Sequence, residues 1–197
     1  MDQKTPTDQI FPSRSERLRR NRRPKTKRNH FKHKEWVISI VIAVLLAMIV
    51  RLFVVEPSMV TGPSMEPTMQ TGDLVLVNKI IYKFRNPKRG EIIVFPTPSQ
   101  KDYIKRIIAL PGETVEARNH RILINGKELN EPYLSNNIRT DDFPATKVPP
   151  EHVFVLGDNR INSIDSRSSE IGTIPFDKIR GRADWIYWPF SHMKWIW

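Results

Sequence analysis

From Trp36 to Val55 the chain reads WVISIVIAVLLAMIVRLFVV, 20 residues carrying a single charge at Arg51. A helix rises about 1.5 Å per residue, so this run covers roughly 30 Å, the hydrocarbon thickness of a bilayer. A core helix of a soluble protein would show polar positions at helical spacing. Here only Ser39 interrupts the run before Arg51. Arg51 lies near the end, where its long stem reaches the interface. The segment is read as a transmembrane helix, which confines the remaining chain to one side of a membrane.

Flanking charge says which side. The twenty residues before Trp36 hold ten Lys/Arg, and the twenty after Val55 hold none. The positive-inside rule places the N-terminus in the cytoplasm and residues 56–197 outside it. A cleaved secretory signal would need a short basic region and a small-x-small site after the apolar run. Neither is present, so the run is read as an uncleaved signal anchor. The formal net charge of +11 resides mostly in residues 1–35, where 12 Lys/Arg face four acids. That tail lacks apolar periodicity and reads as disordered. Attraction to anionic lipid headgroups and topology setting account for its charge without a nucleic-acid partner.

With no cysteine, the chain has no disulfide framework, thiolate metal site or thiol nucleophile. Its five histidines show no metal-ligand spacing. Neither a metal nor a cofactor is expected.

Beyond the anchor the texture is that of a β protein. Short apolar runs at Asp73–Asn78, Glu91–Phe95, Tyr103–Leu110, Arg121–Ile124, Lys127–Leu129 and His152–Leu156 are separated by turn residues. Ala183–Trp188 is expected to be the last strand. Asn125-Gly126 is a type I′ hairpin signal, and the 16 prolines oppose long helices. The expectation is a mainly antiparallel β domain over 56–197, preceded by a basic tail (1–35) and the anchor (36–55). Residues of about 112–150 read as a small insertion.

Two segments carry candidate chemistry. Gly62-Pro63-Ser64 is an irregular, rigid turn able to present a hydroxyl. In Asp102-Tyr103-Ile104-Lys105-Arg106, strand alternation puts Lys105 on one face with Tyr103 and Ile107. Arg106 then faces the other way with Ile104 and Ile108. An ordinary lysine, with a pKa near ~10.4, is neutral in roughly one molecule of a few thousand at pH 7. To act as a base it must be desolvated. Taken singly, the serine reads as a turn residue and the lysine as a surface cation.

The segments resemble the conserved boxes of bacterial type I signal peptidases, in their Gram-positive form. Gly62-Pro63-Ser64-Met65-Glu66-Pro67-Thr68-Met69 is similar to the serine box, and Arg89–Phe95 to the strand box after it. Asp102–Glu113 resembles the lysine box, and Gly157-Asp158-Asn159-Arg160-Ile161-Asn162-Ser163-Ile164-Asp165-Ser166-Arg167 the last box. The resemblance runs from about Ala43 to Trp188, with order and spacing in register. It implies an antiparallel Ser–Lys protease fold, shared with self-cleaving repressors, in which Ser64 is the nucleophile and Lys105 the general base. Ser163 would orient the lysine by a hydrogen bond. Asp165 with Arg167, and Asp158 with Arg106, would be bracing ion pairs. It further implies secretory preproteins as substrates, cut after small-x-small sequences. Val60, Met65, Met69, Tyr103 and Ile104 would line the pockets, with the peptide added as a strand. Membrane lipids and nearby translocon would be its other partners.

Gly62 stands where some relatives place a hydroxyl that holds the oxyanion. The Ser64 N–H remains as one donor, and Thr61, backbone or water is expected to supply the second. Four of the five tryptophans fall in the last 13 residues, and Lys194-Trp195-Ile196-Trp197 reads as an interfacial anchor. A soluble repressor-type protease would carry a DNA-binding motif where this chain has a membrane span. A catalytically dead binding module would have no need of Ser64, Lys105 and Ser163 together.

Overall fold

The computed structural model describes residues 31–97, 101–135 and 138–196. The expected basic tail, up to residue 30, and Trp197 lie outside them. A helix, α1, runs Phe31–Phe53, starting upstream of Trp36 and ending before Val55. Within it Lys34–Phe53 is long and apolar enough to cross a membrane. Ile38, Ile42, Leu46 and Phe53 are all more than half exposed, so nothing among the described residues covers that apolar surface.

The chain divides into two units, Met1–Val44 and Leu45–Trp197. The second is mainly β. Its strands are β1 (Val55–Met59), β2 (Leu74–Asn78), β3 (Ile92–Pro96), β4 (Asp102–Ala109), β5 (Thr114–Arg118) and β6 (Arg121–Ile124). They continue as β7 (Lys127–Glu128), β8 (Phe143–Lys147), β9 (His152–Leu156), β10 (Ile174–Pro175), β11 (Gly181–Trp188) and β12 (Lys194–Trp195). A single-turn helix, α2 (Ile81–Phe84), follows β2. The large sheet has the order β1-β2-β11-β3-β4-β9-β10, with β12 on β11, and a four-stranded sheet has the order β7-β6-β5-β8. All pairs are antiparallel.

Strand alternation creates the cores. In β2, Val75 and Val77 are buried while Leu74 and Leu76 are half-buried, because successive side chains leave opposite faces. In β3, Ile92 and Val94 join a core with Val60, Met65, Met69 and Ile186. Ile93 and Phe95 join another with Ile107, Val153 and Val155. The small sheet packs Val115, Ala117, Ile122 and Ile124 against Ile108, Phe154 and Leu156 of the large one. The region of 112–150 is therefore a second layer sharing a core with β4 and β9. Each such side chain, fully buried, contributes about 1.5–3 kcal/mol.

Ala183–Trp188 is not the final strand: β12 pairs with β11 through Trp185↔Trp195 and Ile186↔Lys194. Ile196 enters the first core, and Trp195 stacks on Trp185 at 5.6 Å. The end expected to be a lipid anchor is thus tied into the sheet as far as Ile196, although Trp195 keeps 64% exposure.

Candidate active site

The serine loop leaves β1 and returns to β2. Val60 N–H donates to the Asp73 carbonyl (2.9 Å) and Gly72 N–H to the Val60 carbonyl (3.0 Å), closing its base. Met65 and Met69 plug into the core at 1% and 0% exposure. The buried Asp73 carboxylate accepts from Gln70 N–H at 2.8 Å and lies 3.0 Å from His192 Nδ1. Gly62 has φ +86°, a conformation costly for side-chain-bearing residues, and it turns the chain so that Ser64 meets β4. Lys105 Nζ lies 2.7 Å from Ser64 Oγ.

Lys105 is 3% exposed. Its Nζ also donates to the Ile104 carbonyl at 3.2 Å and lies 4.9 Å from the centre of the Tyr103 ring. Burial lowers its pKa to about 8, against an upward pull from Asp165 and Asp158. No carboxylate pairs with it among the described residues.

Arg106, on the opposite face, is held differently. Its Nε and Nη2 donate to Asp158 at 2.8 and 2.7 Å, and Nη1 to the Gly90 carbonyl at 2.8 Å. Arg106 shares its face with Ile104 as expected. Ile108 lies on that side too: it joins the small-sheet core with Leu156, the cross-strand partner of Arg106, while Ile107 packs with Val155 on the other face.

The Gly157–Arg167 segment closes the site. Asp165 accepts from Gly157 N–H at 3.0 Å and from Arg167 Nε and Nη2 at 2.8 and 2.9 Å. Asn159 N–H donates to the Ser64 carbonyl at 3.0 Å. A Cβ on Gly157 would collide with that carbonyl and with Ser163 Oγ, so glycine is required by close approach rather than by a positive φ. The hydrogen bond expected from Ser163 to Lys105 is not formed; Ser163 Oγ is buried without a partner. The lysine instead spends its donors on Ser64 and Ile104.

A cleft of about 210 Å³ opens over the pair, lined by Val60, Met65, Tyr103 and Ile104 of the expected pocket residues. Met69 does not line it: the turn closed by Met69 N–H donating to the Met65 carbonyl at 2.9 Å carries this side chain fully into the core. Met59, Thr61, Asn162 and Ile164 line the cleft as well, although no spacing in the sequence singled out Met59, Asn162 or Ile164 for it.

Sequence comparison agrees with the boxes. Residues 33–188 match the family model described as signal peptidase, peptidase S26. Signal peptidase I P of Bacillus subtilis subsp. natto is 43% identical over 183 residues, covering 86% of this chain and 98% of the relative. Signal peptidase I T of Bacillus subtilis (strain 168) is 43% identical over 170 residues, covering 81% and 88%. Signal peptidase IB of Staphylococcus aureus (strain Mu50) is 38% identical over 177 residues, covering 81% and 92%. A crystal structure of a signal peptidase I from Enterococcus faecalis V583 matches with a TM-score of 0.43 and 38% identity, over 50% of this chain and 97% of that one. The chain belongs to the signal peptidase, peptidase S26, family.

Proposed function

We propose that this family member is a membrane-anchored serine endopeptidase that removes signal peptides through a Ser64–Lys105 dyad. The observation that carries the reading is the 2.7 Å contact between Ser64 Oγ and a buried lysine amine that has no ion-pair partner among the described residues. With a pKa of about 8, roughly one molecule in ten holds Lys105 neutral at pH 7, against one in a few thousand for an ordinary lysine.

In the first step neutral Lys105 takes the Ser64 hydroxyl proton while Oγ bonds to the scissile carbonyl carbon. The Ser64 N–H is the first oxyanion donor, and Thr61, which lines the cleft beside it, is the second. The lysine ammonium then passes its proton to the leaving amine, the C–N bond breaks, and an ester on Ser64 remains. Water, deprotonated by the same amine, attacks the ester carbon; the Oγ–C bond breaks, the lysine ammonium returns its proton to Ser64 Oγ, and the signal peptide leaves as a carboxylate. Ser163, buried and unpaired, is free to take over the lysine once the Ser64 hydroxyl has lost its proton. Asp165–Arg167 and Asp158–Arg106 hold the walls.

A cleft of this size suits small side chains, in keeping with cleavage after small-x-small sequences. Val60, Met65, Tyr103 and Ile104 are its specificity walls. The charge asymmetry around α1 orients the N-terminus to the cytoplasm and the β domain to the outer side of the membrane, next to preproteins leaving the translocon. Cleavage of a preprotein by wild type, Ser64→Ala and Lys105→Ala tests the reading. Loss of cleavage in both variants, with folding intact, is the expected result; full activity in Lys105→Ala overturns the dyad.

A further inference from the structure

The small sheet's connecting loop reaches the site through buried and half-buried polar groups, of which only Arg160 lies in one of the boxes and none has an assigned role. Arg160, 2% exposed, donates from Nε to the Gly157 carbonyl at 3.0 Å and from Nη1 to Thr140 Oγ1 at 2.8 Å. Its fork also holds Glu131, with Nη2 to Oε1 at 2.5 Å and Nη1 to Oε2 at 3.1 Å. Glu131 Oε1 accepts in turn from the Tyr133 hydroxyl. The Tyr133 ring lies flat against Arg106, its centre 3.9 Å from the guanidinium carbon.

Three successive residues are gripped at once. Arg160 holds the Gly157 carbonyl, Arg106 under Tyr133 holds the Asp158 carboxylate, and Asn159 N–H holds the Ser64 carbonyl. Gly157 packs so closely on Ser163 Oγ and the Ser64 carbonyl that even a Cβ there would collide with them. A shift of this segment therefore displaces Ser64 directly. A misplacement of about 1 Å at a reacting atom costs on the order of 10²-fold in rate.

We propose that Glu131, Tyr133 and Arg160 are positioning residues: the small-sheet loop is a latch that sets the Gly157–Asn159 segment, and through it the distance between Ser64 and Lys105. This rests on the Ser64–Lys105 reading. The latch also bears on the amine's charge. Around Lys105 stand Asp158 (compensated by Arg106), Asp165 (compensated by Arg167), the Tyr103 ring, and Lys101 with Asp102 on the cleft wall. Loosening Arg106 from Asp158 leaves more negative charge acting on Lys105, which favours its protonated form.

The test uses the full chain in detergent micelles and a peptide spanning a signal-peptide cleavage site, with Tyr133→Leu, Tyr133→Phe, Glu131→Gln and Arg160→Lys. Tyr133→Leu and Arg160→Lys are expected to lower kcat about tenfold or more while KM stays within about threefold. The acid limb of the Tyr133→Leu profile moves to higher pH, and Tyr133→Phe, which restores the ring, recovers most of the loss. Glu131→Gln, which changes no volume, lowers kcat in the same sense and carries the test if Tyr133→Leu does not fold. Unchanged kcat and unchanged pH limb in folded variants overturn the latch. Ser64→Ala and Lys105→Ala run alongside: activity surviving in these overturns the dyad itself, whereas their inactivity beside fully active latch variants overturns only the latch.

Discussion

Lys105 and Arg106 are consecutive residues of β4, buried to almost the same degree at 3% and 4% exposure, and the two faces of the strand treat them oppositely. On the Arg106 face every direction of the guanidinium meets an acceptor: Asp158, Gly90, and Thr68 at 3.4 Å. The charge is kept because it is paired. On the Lys105 face the amine meets a hydroxyl, a carbonyl and an aromatic ring, with its two influential carboxylates already committed to Arg106 and Arg167. Burial wins there, and the proton is held loosely. Desolvation thus yields a structural cation or a base according to whether a carboxylate is given to it.

Four measurements sharpen or break that contrast. Lys105→Arg keeps a cation in place but supplies a group that does not deprotonate, so kcat should fall by about 10³-fold or more; retained cleavage would mean that no base acts at this position. Arg106→Met leaves Asp158, with 0% exposure, buried without its cation and held only by the Thr68 hydroxyl. Denaturant unfolding of the full chain in micelles should show a loss of about 3–5 kcal/mol, and an unchanged midpoint would mean that the pair is not a brace.

Lys105→Met should act in the opposite direction. The folded pKa of about 8 lies below the ordinary lysine value, so the unfolded chain binds more protons between those two pH values. The lysine's penalty is therefore greatest below pH 8 and fades as pH rises toward the unfolded pKa. At pH 7 the inactive variant should be more stable than wild type, by at most about 3 kcal/mol, with the advantage shrinking toward pH 10. The smallest effect is in wild type: kcat/KM should rise with pH along an acid limb centred near pH 8. A limb centred in the carboxylate range would assign the base elsewhere.

Much of the fold was legible as alternation. The runs at Leu74–Asn78, Ile92–Pro96, Asp102–Ala109 and His152–Leu156 lie in the sheet interior and are strongly apolar. The hairpin at Asn125-Gly126 has positive φ at both residues. The strands that were missed are mostly edges. β1, β8 and β10 each end a sheet and each contains a proline, which an edge strand tolerates because its outer N–H needs no partner. β12 is two residues long and exists because β11 offers it a free stretch of backbone. Among the site residues, Ser64, Lys105, Asp158 and Arg106 were marked by the resemblance of their boxes rather than by any local signal, and the fold brings them together. Met69 was misassigned because the loop's own turn, rather than a strand, sets where its side chain points.

Apart from the Ser–Lys pair, which only the resemblance of its boxes to a known family implied, the sequence by itself determined the apolar segment long enough to span a bilayer and the antiparallel character of the downstream chain. These follow from local rules, namely run length, period-two alternation and turn chemistry. Tertiary structure alone decided that Lys105 lies 2.7 Å from Ser64, that among the described residues it has no counter-ion and Ser163 Oγ no partner, and that Tyr133 covers Arg106. Those are contacts between residues tens of positions apart. Their energies depend on which groups share a desolvated space, and no local pattern in the chain encodes that.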